Sequence, residues 1–166
     1  GGGPVMEKTD HSFIKASMKK DGALMAGEMS GHVFFKERWF GLDDGMYADA
    51  RMLEILSAFD SPTAVLNALP NSISTPELNI HLPEGSNGHE VIAKLAQTAQ
   101  FAGSDEIITI DGLRVEYPDG FGLMRASNTT PVLVLRFEAD SDEAIARIQS
   151  QFKAVVESYP GLRWPL

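Results

Sequence analysis

Residues 106–117 read Glu-Ile-Ile-Thr-Ile-Asp-Gly-Leu-Arg-Val-Glu-Tyr. Two β-rich runs, Glu106 to Ile110 and Leu113 to Tyr117, flank the dipeptide Asp111-Gly112. A tight hairpin turn needs positive φ angles, which Asp tolerates and Gly adopts freely, so Asp-Gly between such runs is a strong hairpin signal. Strands joined this closely pair antiparallel. Outward from the hairpin, Glu77 to Leu82 reads as a strand and Gly88 to Phe101 as a helix. Gly122 to Arg125 leads into a polar loop ending at Pro131, and Val132 to Phe137 reads as a strand. A last helix opens at Ser141-Asp142-Glu143 and runs to about Ser158, before Pro160-Gly161. Ser141 suits the N-cap, and the two acids suit the positive helix end. The order β-α-β-β-β-α predicts an α+β domain with a four-stranded antiparallel sheet and two helices on one face.

The first half has a different texture. Pro4 to Thr9 reads as a short strand, Ser12 to Lys20 as a helix closed by Asp21-Gly22, and Val33-Phe34-Phe35 as a strand. Met46 to Phe59 reads as a helix with Tyr47, Ala50, Leu53 and Leu56 on one face. The order β-α-β-α predicts a truncated α/β domain with a parallel sheet. Residues 69–76, rich in Pro, Ser and Asn, read as a linker. The expected organisation is therefore residues 1–68, a linker over 69–76, and residues 77–166.

Composition narrows the function. The 166 residues are 43% hydrophobic, which supports a packed core, and carry a net charge of −9. That acidity argues against a general nucleic-acid binder, which needs clustered Lys and Arg. No apolar run reaches the roughly 20 residues of a membrane helix. The absence of cysteine rules out disulfides, thiolate metal sites and a cysteine nucleophile, and fits a cytoplasmic protein.

Four segments can carry chemistry. In Gly27-Glu28-Met29-Ser30-Gly31-His32, glycines allow a tight turn while Glu28, Ser30 and His32 alternate. A carboxylate, a hydroxyl and an imidazole on one side suit a polyol; the other reading is an ordinary polar turn. Arg125-Ala126-Ser127-Asn128-Thr129-Thr130 offers a guanidinium fork, hydroxyls and loop N–H groups to an oxyanion. It also reads as a plain Ser/Asn/Thr turn. Lys8-Thr9-Asp10-His11 either meets a ligand oxygen or caps a helix. Lys36 to Gly41 reads as a solvated strand end beside aromatics. Asp43-Asp44-Gly45 reads as a helix N-terminus rather than a metal site, being too sparse for a calcium loop. His81 and His89 stand alone.

The first three of these segments, taken in chain order, resemble the α-D-phosphohexomutase superfamily, in its bacterial phosphomannomutase/phosphoglucomutase branch. The matching stretches are Lys8 to His11, Gly27 to His32 and Arg125 to Pro131, with further likeness over Val33 to Gly45 and Val132 to Ala139. The resemblance implies the end of the third family domain followed by the fourth, the latter TATA-box-binding-protein-like. It implies that Glu28 and Ser30 contact hexose hydroxyls and that His32 is a candidate general acid/base. It further implies that Arg125, Ser127, Asn128 and Thr129 hold the non-reacting phosphate, with His11 and Lys8 lining the same cleft. The family reaction moves phosphate between C6 and C1 of mannose or glucose through a bisphosphorylated sugar. The implied partners are these hexose phosphates and the N-terminal domains of the parent enzyme, with neither nucleic acid nor membrane.

The family's phosphoserine loop and its magnesium loop match no segment of this sequence. Mg2+ is thus expected to belong to the parent enzyme through residues outside this chain, with no metal held by the chain itself. One position departs from the pattern: Asp10 stands where the family has glycine. An added carboxylate is expected to weaken binding of an anionic ligand and to resist a positive φ. Two other readings remain: a stand-alone phosphosugar-binding module, and a non-catalytic fragment that self-associates through an exposed sheet edge.

Overall fold

A computed structural model describes residues 2–165. The chain divides into two units, Gly1–Pro70 and Asn71–Leu166, each with its own buried cluster.

In the first unit, helix α1 (His11–Asp21) begins where Asp10 accepts a hydrogen bond from the Ser12 N–H at 2.7 Å. It ends at Gly22, which takes the left-handed φ of 68° that a helix stop favours. Its buried residues Ile14 and Met18 pack with Phe34. Strands β1 (Met25–Gly27), β2 (Val33–Phe35) and β3 (Leu42–Asp43) form one sheet in that order. Two expectations are corrected here. Residues 4–9 form no strand, and both strand pairs are antiparallel rather than parallel. The connections explain the second result. The segments 28–32 and 36–41 are far shorter than the crossover of roughly a dozen residues that a parallel pair requires.

Helix α2 (Gly45–Leu56) starts at Asp44, whose carboxylate accepts from the Tyr47 N–H at 3.0 Å. Helix α3 (Pro62–Asn67) starts at Ser61, with Pro62 in its first turn. The apolar face expected on α2 is not buried among the described residues: Leu53 is 66% exposed. Charge and ring contacts tie α2 to the preceding segment: Tyr47 stacks on Trp39 with centroids 4.2 Å apart and meets Phe35 edge-on. Arg38 donates both guanidinium ends to Glu54 at 2.8 Å, and Arg51 reaches Glu37 at 2.7 Å.

The second unit contains β4 (Ile73–Ser74), β5 (Leu78–His81), α4 (Gly88–Thr98), β6 (Glu106–Ile108), β7 (Leu113–Tyr117), β8 (Gly120–Ala126), β9 (Val132–Ala139) and α5 (Asp142–Glu157). They build one six-stranded sheet, ordered β4-β9-β8-β7-β6, with β5 also on β9. All its pairs are antiparallel. Four strands were expected. Strand β8 escapes the pattern because Gly120 and Gly122 interrupt its apolar alternation, and β4 lies inside the stretch read as linker. The hairpin at Asp111-Gly112 forms, but Ile108 pairs with Arg114, so its loop is longer than two residues. The two-residue turn is Pro118-Asp119, closed by Tyr117 against Gly120.

Alternation assigns the two faces. Leu113, Met124 and Leu135 form one cross-strand row, and Ala126, Leu133 and Ile80 another, all buried in one core. Helices α4 and α5 cover this face with Val91, Ile92, Leu95, Ile145, Ile148 and Phe152. Gly122 sits directly beneath α5: a Cβ there would run into the Phe152 ring and Ile148. The opposite face carries Arg114, Phe121, Leu123, Arg125 and Arg136, which alternate with the buried positions.

Candidate functional site

The first unit gathers its polar groups at the β1–β2 hairpin. Glu28 donates its N–H to the His32 carbonyl at 2.8 Å, and Gly31, at φ 94°, donates its own to the Glu28 carbonyl at 3.0 Å. A side chain at Gly31 would strain this turn. The Ser30 hydroxyl donates to Glu28 Oε2 at 3.0 Å. Glu28 Oε1 is enclosed without a hydrogen-bond partner. Glu28 also lines a cavity of about 380 Å³ together with Lys8 and Thr9. Lys8 further rests its ammonium over the Phe13 ring, 5.5 Å from the centroid.

His32 and His11 meet on the α1 side of the same sheet. His32 lies two residues before Phe34 on the strand path, and Asp43 on β3 is in register opposite Phe34. His11, at the first residue of α1, packs edge-on against Phe34 and against the His32 ring, with centroids 5.5 and 4.8 Å apart. Asp43 Oδ2 stands 2.7 Å from His32 Nδ1 and 3.4 Å from His11 Nε2. Both imidazoles are about half exposed, at 45% and 46%. The sequence assigned Asp43 and Asp44 together to the start of a helix. Only Asp44 caps α2; Asp43 turns instead to the two histidines. The signal that could have found it is the β2–β3 pairing, which sequence spacing does not display.

His11, His32 and Asp43 bring three possible metal ligands within 4.8 Å of one another. Two imidazoles and one carboxylate do not fit magnesium, which takes oxygen ligands in octahedral geometry.

In the second unit, Arg125 is near the end of β8, paired with Val134. Its Nη1 lies 3.6 Å from Asp111 Oδ2 and is enclosed without a hydrogen-bond partner. The Asp111-Gly112 turn tucks against this strand. Gly112 has φ 93°, and a Cβ there would collide with Arg125 Cα and the Met124 carbonyl. Beyond Arg125 the loop folds around one hydroxyl. Ser127 Oγ accepts from the Thr129 and Thr130 N–H groups at 3.3 and 3.2 Å, and lies 2.9 Å from Thr130 Oγ1. The base is closed by Ser127 N–H to the Val132 carbonyl at 3.0 Å. Asn128 and Thr129 are exposed at the tip. Ser127 is therefore first an organiser of the loop.

Asp10 also differs from expectation. Its φ of 165° is ordinary extended backbone, so no positive φ is resisted there. The Ser12 backbone N–H, and then the Ser12 hydroxyl, hold its carboxyl below the usual range.

Two family models match successive parts of the chain. The Phosphoglucomutase/phosphomannomutase alpha/beta/alpha domain III model matches residues 1–73, and the C-terminal domain model of the same family matches residues 77–155. The chain belongs to the phosphoglucomutase/phosphomannomutase family. It is 76% identical over 166 residues to a phosphoglucomutase of Neisseria meningitidis, all of this chain and 36% of that protein. It is 58% identical over 165 residues to a phosphomannomutase/phosphoglucomutase of Pseudomonas aeruginosa, 96% of this chain and 35% of that one. The crystal structure of a phosphoglucomutase/phosphomannomutase family protein from Burkholderia thailandensis superposes with a TM-score of 0.92 at 57% identity, over 100% of this chain and 35% of that one. The chain thus spans about a third of the length of these relatives.

Proposed function

We propose that this chain supplies the sugar-recognition and phosphate-grip surfaces of a phosphohexomutase. The enzyme interconverts hexose 1-phosphate and hexose 6-phosphate through a bisphosphorylated intermediate. The observation that carries this reading is the match of both halves, in order, to two successive domains of one mutase family. Glu28 and Ser30 bind sugar hydroxyls: the enclosed Glu28 Oε1 has an acceptor to spare. Lys8, in the cavity beside Glu28, and His11, beside His32, add further contacts to the ligand. His32 is the general acid/base. Arg125, Ser127, Asn128 and Thr129 hold the phosphate that is not reacting, with the Arg125 guanidinium as its charged donor.

One fixed grip on the distal phosphate serves both orientations of a bisphosphorylated sugar. It positions either end, while a single reacting centre performs the transfer. The phosphoryl donor and the magnesium ion belong to the rest of the enzyme, so the chain alone is expected to bind substrate without turning it over. The exposed apolar residues of α2, Leu53 at 66% and Ile55 at 52%, suit contact with the enzyme's other domains.

Calorimetric titration of the chain with glucose 1-phosphate tests the reading. Binding is expected, and Arg125→Ala is expected to weaken it by about tenfold or more, because a charge-assisted hydrogen bond contributes roughly 1.5–3 kcal/mol. Equal affinity in the Arg125→Ala variant would refute the phosphate grip. Turnover of mannose 1-phosphate by the pure chain would refute the division of labour.

A further inference from the structure

A single carboxylate oxygen, Asp43 Oδ2, faces two imidazole nitrogens, His32 Nδ1 at 2.7 Å and His11 Nε2 at 3.4 Å. An ionised carboxylate only accepts hydrogen bonds, so at 2.7 Å the proton must sit on His32 Nδ1. The spacing also identifies what bridges the pair. Two ligands on one zinc ion, each bonded at about 2.0–2.2 Å, would stand roughly 3.4 Å apart. The His32–Asp43 separation is a hydrogen bond's, and a metal between them would have to push them apart.

The arrangement rests on ordinary strand geometry. Asp43 is carried by β3 opposite Phe34 of β2, and His32 precedes Phe34 by two residues, so the two side chains share a face. His11 enters from the first turn of α1, edge-on to both His32 and Phe34. Phe34 is fully buried and backs the His11 ring.

We infer that Asp43 is a positioning residue that locks His32 in the Nδ1–H tautomer, with His11 packed beside it. His32 then presents the Nε2 lone pair away from Asp43. Nε2 of His32 is the atom that takes a proton from a sugar hydroxyl, and the imidazolium so formed keeps its Nδ1–H bond to the Asp43 carboxylate. A partner that fixes tautomer and ring orientation is a recurring requirement of histidine acid/base chemistry. The catalytic consequence rests on the proposed role of His32; the tautomers themselves do not.

The test is nitrogen NMR of the 15N-histidine-labelled chain, without ligand, at a pH of about 9, well above the ordinary imidazole range near 6.5. Long-range ring correlations report which nitrogen carries the proton. His32 is expected as Nδ1–H by at least about tenfold, equivalent to roughly 1.4 kcal/mol. In Asp43→Ala that preference is expected to vanish, while His81 and His89, in the other unit, keep their spectra. Two results overturn the inference: His32 found as Nε2–H in the unaltered chain, or an unchanged Nδ1–H preference in Asp43→Ala. If Asp43→Ala disrupts the first unit, Asp43→Asn decides, since its neutral oxygen is a weaker acceptor and the preference should fall several-fold; no fall overturns the inference. Failure of glucose 1-phosphate to bind would remove the sugar reading and leave the tautomer result standing.

Discussion

Gly122→Ala probes how closely α5 sits on the strand that delivers Arg125. The added methyl has nowhere to go. It would overlap the Phe152 ring and touch Ile148. Phe152 cannot retreat: it is fully buried, with Phe101 and Phe137 ring centroids at 4.8 and 5.2 Å. Overpacking a filled core costs about 1–3 kcal/mol. At about 4–8 °C per kcal/mol for a domain of this size, a cost of about 2 kcal/mol lowers Tm by about 8–16 °C. Phe152→Leu alone should cost roughly 1–2 kcal/mol through the cavity it leaves. The double variant should be less destabilised than the sum, because the new methyl enters that cavity. The expected coupling is about 1–2 kcal/mol, against about 0.5 kcal/mol or less for independent sites. Urea unfolding followed by Trp164 fluorescence, in a Trp39→Phe background, measures all four corners of the cycle. Gly3→Ala is the control, since nothing lies within 4 Å of its added carbon. Additive losses, or a Gly122→Ala variant as stable as the parent, would show that the contact does not limit packing.

Two further outcomes follow from surface charge. Asp10→Gly should tighten glucose 1-phosphate binding by roughly twofold to fivefold through loss of a like charge. It should cost the helix only a few tenths of a kcal/mol, because glycine is an acceptable N-cap; unchanged or weaker affinity by calorimetry contradicts this. Glu54 is held below its ordinary 4.5, first by its hydrogen bond from Arg38. A lowered carboxyl stabilises the fold above its unfolded pKa, and that contribution disappears as pH falls below about 4.5. The Tm difference between the parent chain and Glu54→Gln should therefore shrink from about pH 6 to about pH 3; a constant difference means the ion pair is not its source.

Legibility varied with how local the cause was. The starts of α2 and α5 were readable because caps are local: Ser141 and Asp44 accept from N–H groups three residues on. The hairpin at Asp111-Gly112 was readable for the same reason, although its register was not. Strand β8 was missed because its glycines answer to neighbours distant in sequence, Gly122 to Phe152 on α5 and Gly120 to Ala139 on β9. In the candidate site, Glu28, Ser30, His32 and the Arg125 loop stood out as contiguous motifs. Asp43 did not. Its neighbour Asp44 offered a sufficient local explanation, and its real partners come from two other elements.

The sequence by itself determined the family, the order of most elements and the residue types in both loops. These are properties of short runs, where spacing and chemistry travel together. Tertiary structure decided that the first sheet is antiparallel, that Ser127 holds its own loop in shape, and that one oxygen of Asp43 faces two histidines. Each depends on which strands lie side by side. Pairing is chosen by packing and hydrogen bonding across the whole unit, and no short stretch of sequence contains that choice.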